Sequence, residues 1–489
     1  MGARWERTEL TPYAGAAQVA AALAEGRVGA LELLESAIAR IEAIDGALNA
    51  VVLRDFDRAR QAALEAEQRL ARGERLPLLG VPVTVKESFA VRGLDNTWGL
   101  PMLRNRPARA DSAAVQRLRN AGAVILGKTN VATVLSDWQC DNPVFGRTNN
   151  PWDVSRTPGG SSGGSAAAIA AGMSFLELGS DVAGSIRIPA HYCGVYGHRS
   201  STGLLSSQGH MLPGTLVPSD LGALGALARK PADLALALSI LAGPGEPEAR
   251  AWRIELPQRA HDSLRGYRVL LLDTHPLVQT CAAVSAAVRR LGATLESAGA
   301  TVADGRAIVP DLAATAECFA RVLVTQNAAR MPVEYASRVA YRVDAGGGER
   351  LMALGHEAAA AGSREWFAVQ EARALLKRQW LQCFKDWDIV VCPSSTTNAF
   401  THDAREVQER RLEIDGASCS YFDHLAWISA ASLAGLPATQ IPLGLDDSGL
   451  PVGVQAMGAP YADLSTIDFA AHVERQLGGE SGNFLAPPL

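Results

Sequence analysis

The sequence predicts an α/β fold built around a parallel sheet, and three observations carry that prediction. A buried strand, a capped helix and a second buried strand follow one another between Leu76 and Lys128. Two glycine-rich turns flank a helix of small residues between Thr157 and Ala190. Strand-like segments return at Trp387–Cys392 and across Leu433–Gln455. Strand, helix, strand is the signature of a parallel crossover. With 489 residues, the chain can bury a large core in one domain or two intimate ones.

The elements follow in order. Ala30 to Ile44 places Leu34, Ile38 and Ile41 on one helical face, and Asp45-Gly46 is expected to stop that helix. A charged helix spans Asp55 to Gly73. The apolar run Leu76 to Val85 reads as a buried strand ending at Lys86. Asp111-Ser112 caps a short helix through Asn120, and Ala123 to Leu126 forms a second strand ending at Lys128. Phe175 to Leu178 is strand-like and leads into the tight bend Gly179–Ser185. Pro231 to Gly243 is an apolar helix with a glycine stop, and Gly243-Pro244-Gly245 opens a different zone. Residues 246–386, rich in Ala, Arg and Glu, read as a mostly helical variable insertion that shapes the substrate entrance.

Composition narrows the function classes. At 48% hydrophobic and 20% charged residues with a net charge of −5, the chain is a globular protein for which no nucleic-acid partner is expected. The start has no apolar targeting segment, and the small-residue run near Ala166–Leu176 is too short to span a bilayer, so a cytoplasmic protein off the membrane is expected. Seven cysteines (140, 193, 281, 318, 383, 392 and 419) are scattered without a CxxC pair. The histidines form no HExxH, so neither a disulfide framework nor a metal site is expected.

The chemistry concentrates in TPGGSSGGSAAAIAAGMSFLELGSDVAGSIRIPA. Its first turn, Gly159–Ser165, lacks the Lys-Ser/Thr ending of a phosphate-cradling loop. Gly160-Ser161-Ser162-Gly163-Gly164 fits the G-x-S-x-G elbow of α/β-hydrolases, yet it follows a polar segment, Asn149 to Asp153, where an elbow follows a buried strand. The second turn is better placed for a nucleophile. Ser185 sits in its bend, and the N–H groups of Val182, Ala183, Gly184 and Ser185 are candidate oxyanion donors. The neighbourhood offers a lysine as base more readily than a histidine. Both strand-end lysines point to the carboxyl edge, where open α/β sheets place ligands, and lysine is rare here, five against 41 arginines. Spacing alone does not choose between Lys86 and Lys128.

The residues of this segment resemble the amidase signature enzymes, serine hydrolases that cleave C–N bonds with a Ser, cis-Ser, Lys triad. The likeness extends to Pro82–Lys86, Ala121–Asn130, Gly435–Ala438 and Gly449–Gln455, and weakens between about residues 246 and 386. It implies a single domain over 1–489 with a large twisted mixed β-sheet covered by α-helices on both faces. It places the nucleophile on Ser185, the cis-serine on Ser161 and the lysine on Lys86, which leaves Lys128 structural. Ser162 then hydrogen-bonds behind them, and Asp181 and Arg187 pair to hold the nucleophile turn. Trp138, Gln139, Gly160, His210 and Met211 become candidate substrate contacts, the last two on a loop over Ser206–Pro218. Lysine acts as a base only when neutral, so burial must lower its pKa by roughly three units. Two departures stand out: Ala183 replaces a common glycine, and His198-Arg199-Ser200 replaces the usual Leu/Phe-Lys-Pro.

The resemblance implies a hydrolase of small or aromatic amides needing no cofactor and no metal. A carbamate hydrolase with the same triad and the amidase component of a tRNA-dependent glutamine amidotransferase are the alternatives. A noncatalytic binding protein would need a lost triad member, and none is lost.

Overall fold

In the computed structural model, residues 10–257, 261–329, 346–478 and 485–489 are described. Eleven of the described strands form one mixed sheet. In chain order its members are β1 (Val51–Arg54), β2 (Pro82–Lys86), β3 (Val124–Thr129), β4 (Glu177–Asp181), β5 (Tyr196–Arg199), β6 (Ala223–Ala228), β7 (Arg268–Leu271), β8 (Thr301–Asp304) and β9 (Ile389–Cys392). A separate two-stranded ribbon pairs β10 (Arg411–Ile414) with β11 (Ala417–Ser420). The hairpin β12 (Ala438–Leu445) and β13 (Pro451–Met457) then completes the sheet. The spatial order is β1-β3-β2-β4-β6-β5-β12-β13-β9-β7-β8. Strands β3, β2 and β4 run parallel, as the crossover pattern predicts, whereas β4/β6, β6/β5, β5/β12 and β12/β13 are antiparallel.

Both faces of the sheet are covered, and the alternation of strand side chains shows it. On β9, Ile389 and Val391 join the main hydrophobic core while Val390 and Cys392 join a second cluster with Trp380 and Trp427. Val269 and Leu270 of β7 divide the same way. The first core gathers α1 (Ala16–Ala24), α2 (Ala30–Leu48), α3 (Phe56–Ala71) and α4 (Ala113–Asn120) against the parallel strands. Through this centre the strands are buried on both sides, which is why they read as unbroken apolar runs.

Several boundaries differ from the sequence expectation for local physical reasons. Helix α2 runs through Asp45-Gly46 and ends at Leu48, with Asn49 in the left-handed region at φ 55°. Asp45 is not a stop: its buried carboxylate accepts from the amides of Ala50 (2.7 Å) and Val51 (3.3 Å) beyond the helix. The expected strand from Leu76 begins only at Pro82, because Gly80 takes a positive φ of 86° in a turn before it. The strand expected at Phe175–Leu178 lies at Glu177–Asp181 and so carries the chain to the edge of the bend. Ser112 caps α4 as expected, accepting from Val115 N at 3.3 Å.

Residues 246–386 hold the helices α8 (Ala282–Ser297), α9 (Leu312–Ala328), α10 (Gly347–Ala360) and α11 (Ser363–Asp386). They also supply β7 and β8, the last two strands at one end of the sheet, which apolar periodicity did not reveal. Arg373 of α11 donates to the Asp220 carboxylate at 2.6 Å and to Leu433 O at 3.1 Å. Gln326 of α9 accepts from Ser219 Oγ at 2.7 Å, so this zone fastens the chain just after the Ser206–Pro218 loop.

The small-residue helix is α5 (Gly163–Ala170), wholly buried. It needs small residues because it lies directly on the ends of β1 and β3: a methyl group on Gly164 would stand 2.4 Å from Asn130 N and 2.9 Å from Ala50 O. Gly46 inside α2 has open space instead. Gly164→Ala is therefore expected to cost about 3 kcal/mol or to prevent folding. Gly46→Ala is expected to stabilise by about 0.5–1 kcal/mol. Denaturant midpoints of the two variants check the contrast.

Candidate functional site

The site forms where β2 and β4 end beside α5. Lys86 closes β2 and is fully buried, as is Ser161, the residue after the cis Gly160–Ser161 peptide bond. Lys86 Nζ lies 2.8 Å from Ser161 Oγ, 3.0 Å from Ser180 Oγ and 3.4 Å from Ser180 O. Burial dominates its electrostatics and brings the amine down to about 7, against the opposing charges of Asp181 and Glu177 and the Cys140 thiol group. A neutral amine has two N–H groups and one lone pair. With the N–H groups turned to the two Ser180 oxygens, the lone pair is left for the Ser161 hydroxyl.

Gly160 is required at its position, since a Cβ there would meet Asp137 O at 2.3 Å and Gln139 O at 3.0 Å. Ser162 faces the same strand end, donating from Oγ to Ser180 O at 3.4 Å and from its amide to Ser185 O at 3.2 Å. Ser185 is 7% exposed, the one serine of the cluster open to the outside beyond Ser180. Among the described residues its hydroxyl has no hydrogen-bond partner, so the Lys86–Ser161 link is formed and a Ser161–Ser185 link is not.

The turn bearing Ser185 is built on one carboxylate. Asp181, fully buried at the end of β4, accepts from the amides of Gly184 (3.0 Å), Ile186 (3.1 Å) and Arg187 (3.3 Å). It also takes a bidentate grip from Arg187 Nε (3.0 Å) and Nη2 (2.9 Å). Burial works to raise its proton affinity, but the Arg187 charge and hydrogen bonds, with Arg199 at 3.7 Å, more than offset this. The carboxyl is held well below the usual carboxylate range. The Gly184 amide, one of the four expected oxyanion donors, is thus occupied by Asp181. The amides of Val182, Ala183 and Ser185 have no acceptor among the described residues. Ala183 sits outside the positive-φ region, which only Gly184 occupies in this turn at 84°, so the alanine introduces no backbone strain.

The candidate substrate contacts fare differently. Trp138 donates from Nε1 to Ala183 O at 2.9 Å and packs edge-on against Tyr421, Phe422 and His424, bracing the turn from outside. Gln139 exchanges two 2.8 Å hydrogen bonds with the main chain of Asp403. This pair of bonds braces Gln139 against the Asp403 segment. His210 Nε2 meets Ser88 Oγ at 3.0 Å and its ring lies 4.2 Å from Phe89. Burial and then the Lys86 charge bring it down to about 3, so it is a neutral ring beside the lysine. Met211 is half-buried next to it. A cavity of about 790 Å³ lined by Phe400, His402, Asp403 and Tyr421 lies elsewhere and contains none of the serines or lysines of the site.

Lys128 shares Lys86's burial and strand-end position but not its partners. Its Nζ lies 3.7 Å from a Glu87 carboxylate oxygen and 2.5 Å from Asp95 O, while Glu87 accepts from the amides of Thr97 (2.5 Å) and Trp98 (2.9 Å). It fastens a loop. Sequence reading missed Ser180 and Glu177, buried polar residues of β4 at the foot of the site. The signal was present in ELGSD itself, a strand whose polar letters Glu177, Ser180 and Asp181 follow directly on the apolar Phe175-Leu176.

A family model described as Amidase matches residues 32–467. The putative amidase AmiB2 of Mycobacterium tuberculosis H37Rv is 35% identical over 466 residues, 94% of this chain and 96% of that protein. A glutamyl-tRNA(Gln) amidotransferase component of Anaeromyxobacter sp. strain K is 34% identical over 95% of this chain and 96% of its own length. The crystal structure of a bacterial aryl acylamidase of the amidase signature family superposes with a TM-score of 0.82 at 26% identity, covering 96% of this chain and 98% of the other.

The two lysines make opposite predictions for stability. Lys128→Met strands the Glu87 carboxylate and is expected to cost about 3–5 kcal/mol. Lys86→Met removes a buried amine that no carboxylate contacts among the described residues, and is expected to leave the unfolding temperature at or above that of the parent protein. Calorimetry of both at pH 7.5 reads the difference.

Proposed function

The chain belongs to the amidase signature family of carbon–nitrogen hydrolases, and from that premise we propose a self-sufficient amidase for small or aromatic amides, working through an acyl-enzyme on Ser185. The observation that carries the reading is the 2.8 Å approach of a fully buried, carboxylate-free Lys86 amine to Ser161 Oγ.

In this reading Ser185 Oγ attacks the amide carbonyl carbon while its proton passes to Ser161 Oγ, whose own proton passes to the neutral Lys86 Nζ. The carbonyl oxygen becomes an oxyanion received by the amides of Val182, Ala183 and Ser185, the donors that Asp181 does not occupy. Collapse of the tetrahedral adduct breaks the C–N bond, and the proton returns through Ser161 to the leaving nitrogen. Water then repeats the sequence on the acyl-enzyme. Trp138, Asp181 and Arg187 hold the turn, Ser162 holds the strand end beneath it, and Gly160, His210 and Met211 border the approach. The aryl acylamidase likeness supports aromatic leaving groups. A cytoplasmic site of action belongs to the same reading and is supported by seven unpaired cysteines. Among the described residues no helix is long and apolar enough to cross a membrane.

The test is release of 4-nitroaniline from a short acyl 4-nitroanilide and from an alkyl N-(4-nitrophenyl)carbamate by the purified protein. The anilide is expected to turn over, with Ser185→Ala losing at least about 10³-fold. Faster carbamate turnover would reassign the enzyme as a urethane hydrolase. Silence on both, with glutaminase activity appearing only with added partner proteins, would move it to the amidotransferase class represented by the Anaeromyxobacter relative.

The pH profile follows from Lys86. The amine is active only when unprotonated, so kcat/KM is expected to rise with pH through a limb centred near 7 and to fall tenfold per unit well below it. A flat profile from pH 5 to 9 contradicts a lysine base.

A further inference from the structure

The loop over residues 206–218 is pinned to the chain just past β2. Gly209 O accepts from Ala90 N and Gln208 O from Ala113 N, each at 3.0 Å, and His210 N donates to Ser207 O at 2.8 Å. This sets the His210 ring against Phe89, with 4.2 Å between ring centres, and 5.3 Å from the ring of Trp98. Ser88 and Phe89 follow directly on Lys86-Glu87, so the ring stands on the lysine side of the site.

Ser88 decides where that ring carries its proton. The Ser88 side chain is fully buried, and among the described residues His210 Nε2, at 3.0 Å, is the only hydrogen-bond partner of its hydroxyl. A proton on Nε2 would point at Ser88 Oγ and leave the hydroxyl proton buried without an acceptor, which costs the full desolvation of that group. The opposite arrangement satisfies both groups: Ser88 donates to Nε2, and the neutral imidazole carries its proton on Nδ1. The main-chain carbonyl of His210 itself lies by the ring, a contact open to Nδ1 and not to the distal Nε2, and it favours the same form. Among the described residues Nδ1–H has no acceptor in another residue, and the side chain remains partly exposed. Trp98 adds a second donor to this wall: it is 8% exposed, and its Nε1–H has no acceptor among the described residues. Buried donors in folded proteins are paired, so a wall with unpaired donors calls for an acceptor supplied by a ligand.

We propose that His210 is a specificity-determining residue for this reaction: its Nδ1–H, oriented by Ser88, donates to an acceptor on the leaving amine, so the enzyme favours amides whose amine portion carries a carbonyl or ether oxygen. This rests on the reading of Ser185 as nucleophile and Lys86 as base. In that reaction the proton returns to the leaving nitrogen from Ser161, with Lys86 behind it, so the leaving amine lies on the lysine side of Ser185. The chain that runs on from Lys86 through Ser88 and Phe89 carries the His210 ring to that same side.

The test compares acetanilides bearing an acetyl group on the ring with their isopropenyl counterparts, which have the same shape without the oxygen, at the meta and para positions. Arylamine release is followed by chromatography for the parent protein, His210→Phe, His210→Asn and Ser88→Ala. The acetyl-over-isopropenyl ratio of kcat/KM, taken for each variant relative to the parent, cancels the intrinsic reactivity of the two amines. His210→Phe is expected to lower that ratio about three- to tenfold for at least one ring position, the worth of one neutral hydrogen bond. His210→Asn, whose side-chain amide places an N–H near the Nδ1 position, is expected to retain most of it. Ser88→Ala frees the proton to move to Nε2 and is expected to lower the ratio by less; it decides the matter if the His210 variants do not fold. A readout independent of turnover is nitrogen NMR of isotope-labelled histidine at pH 7.5, where His210 is expected to show a protonated Nδ1 and a bare Nε2. A ratio unchanged in every variant that folds, or a His210 proton on Nε2, overturns the proposal. A parent protein silent on all the anilides overturns the amidase reading itself, and the His210 assignment with it.

Discussion

The site depends on holding a lysine amine out of water without giving it a carboxylate. The ordinary preference of an exposed amine for its proton must be overcome by about 4–5 kcal/mol to bring it near neutrality, and only a thick, fully covered sheet does this. Lys86 meets that condition because β2 lies between β3 and β4, with Val83 and Val85 buried in the core beneath it. Lys128 shows the alternative one strand away. With the same burial but Glu87 at 3.7 Å, it is a charged clamp for the Asp95–Trp98 loop. Two lysines at one sheet edge are separated in role by the oxygens around them: two hydroxyls and a carbonyl for one, a loop carbonyl with a carboxylate within ion-pair reach for the other.

A second division of labour lies in the turn bearing Ser185. A tight bend has more amides than it can satisfy internally, and a bare bend would be free to change shape. Asp181 takes up three of those amides together with the Arg187 guanidinium, while Trp138 takes the outward-facing Ala183 carbonyl. The amides of Val182, Ala183 and Ser185 are left over as a consequence of that geometry. In the proposed mechanism these amides receive the oxyanion, and on a rigid bend they need little reorganisation when charge develops.

The parallel core and both lysines were legible because burial on two faces leaves largely apolar runs that end abruptly in a charged letter, as Val83-Thr84-Val85-Lys86 does. What resisted reading has specific causes. Edge strands such as Thr301–Asp304 are half-exposed and too short for a periodic signal. Asp45-Gly46 has turn composition but lies inside a helix, because the aspartate serves the chain beyond it. Gln139 has the chemistry of a substrate contact, and only the tertiary structure shows its amide already exchanged with Asp403, 264 residues away. Residue type announces capability, while the partner that uses it up is set by contacts across the fold.

The two departures from the family pattern make the same point about specificity. Ala183 adopts a backbone conformation that any residue takes, so it leaves the turn unstrained. His198 spans Thr439 Oγ1 at 3.0 Å and Asp463 at 3.1 Å, and Arg199 donates to the carbonyls of Leu436 (2.7 Å) and Leu221 (2.9 Å). Both side chains are buried behind the sheet edge, tying β5 to β12, to the C-terminal helix and to the chain at Leu221. These substitutions alter the frame that holds the turn and leave the approach to Ser185 untouched. In the proposed reading, selection among amides falls to the Ser206–Pro218 loop, whose end Gln326 and Arg373 anchor to the helices of residues 246–386.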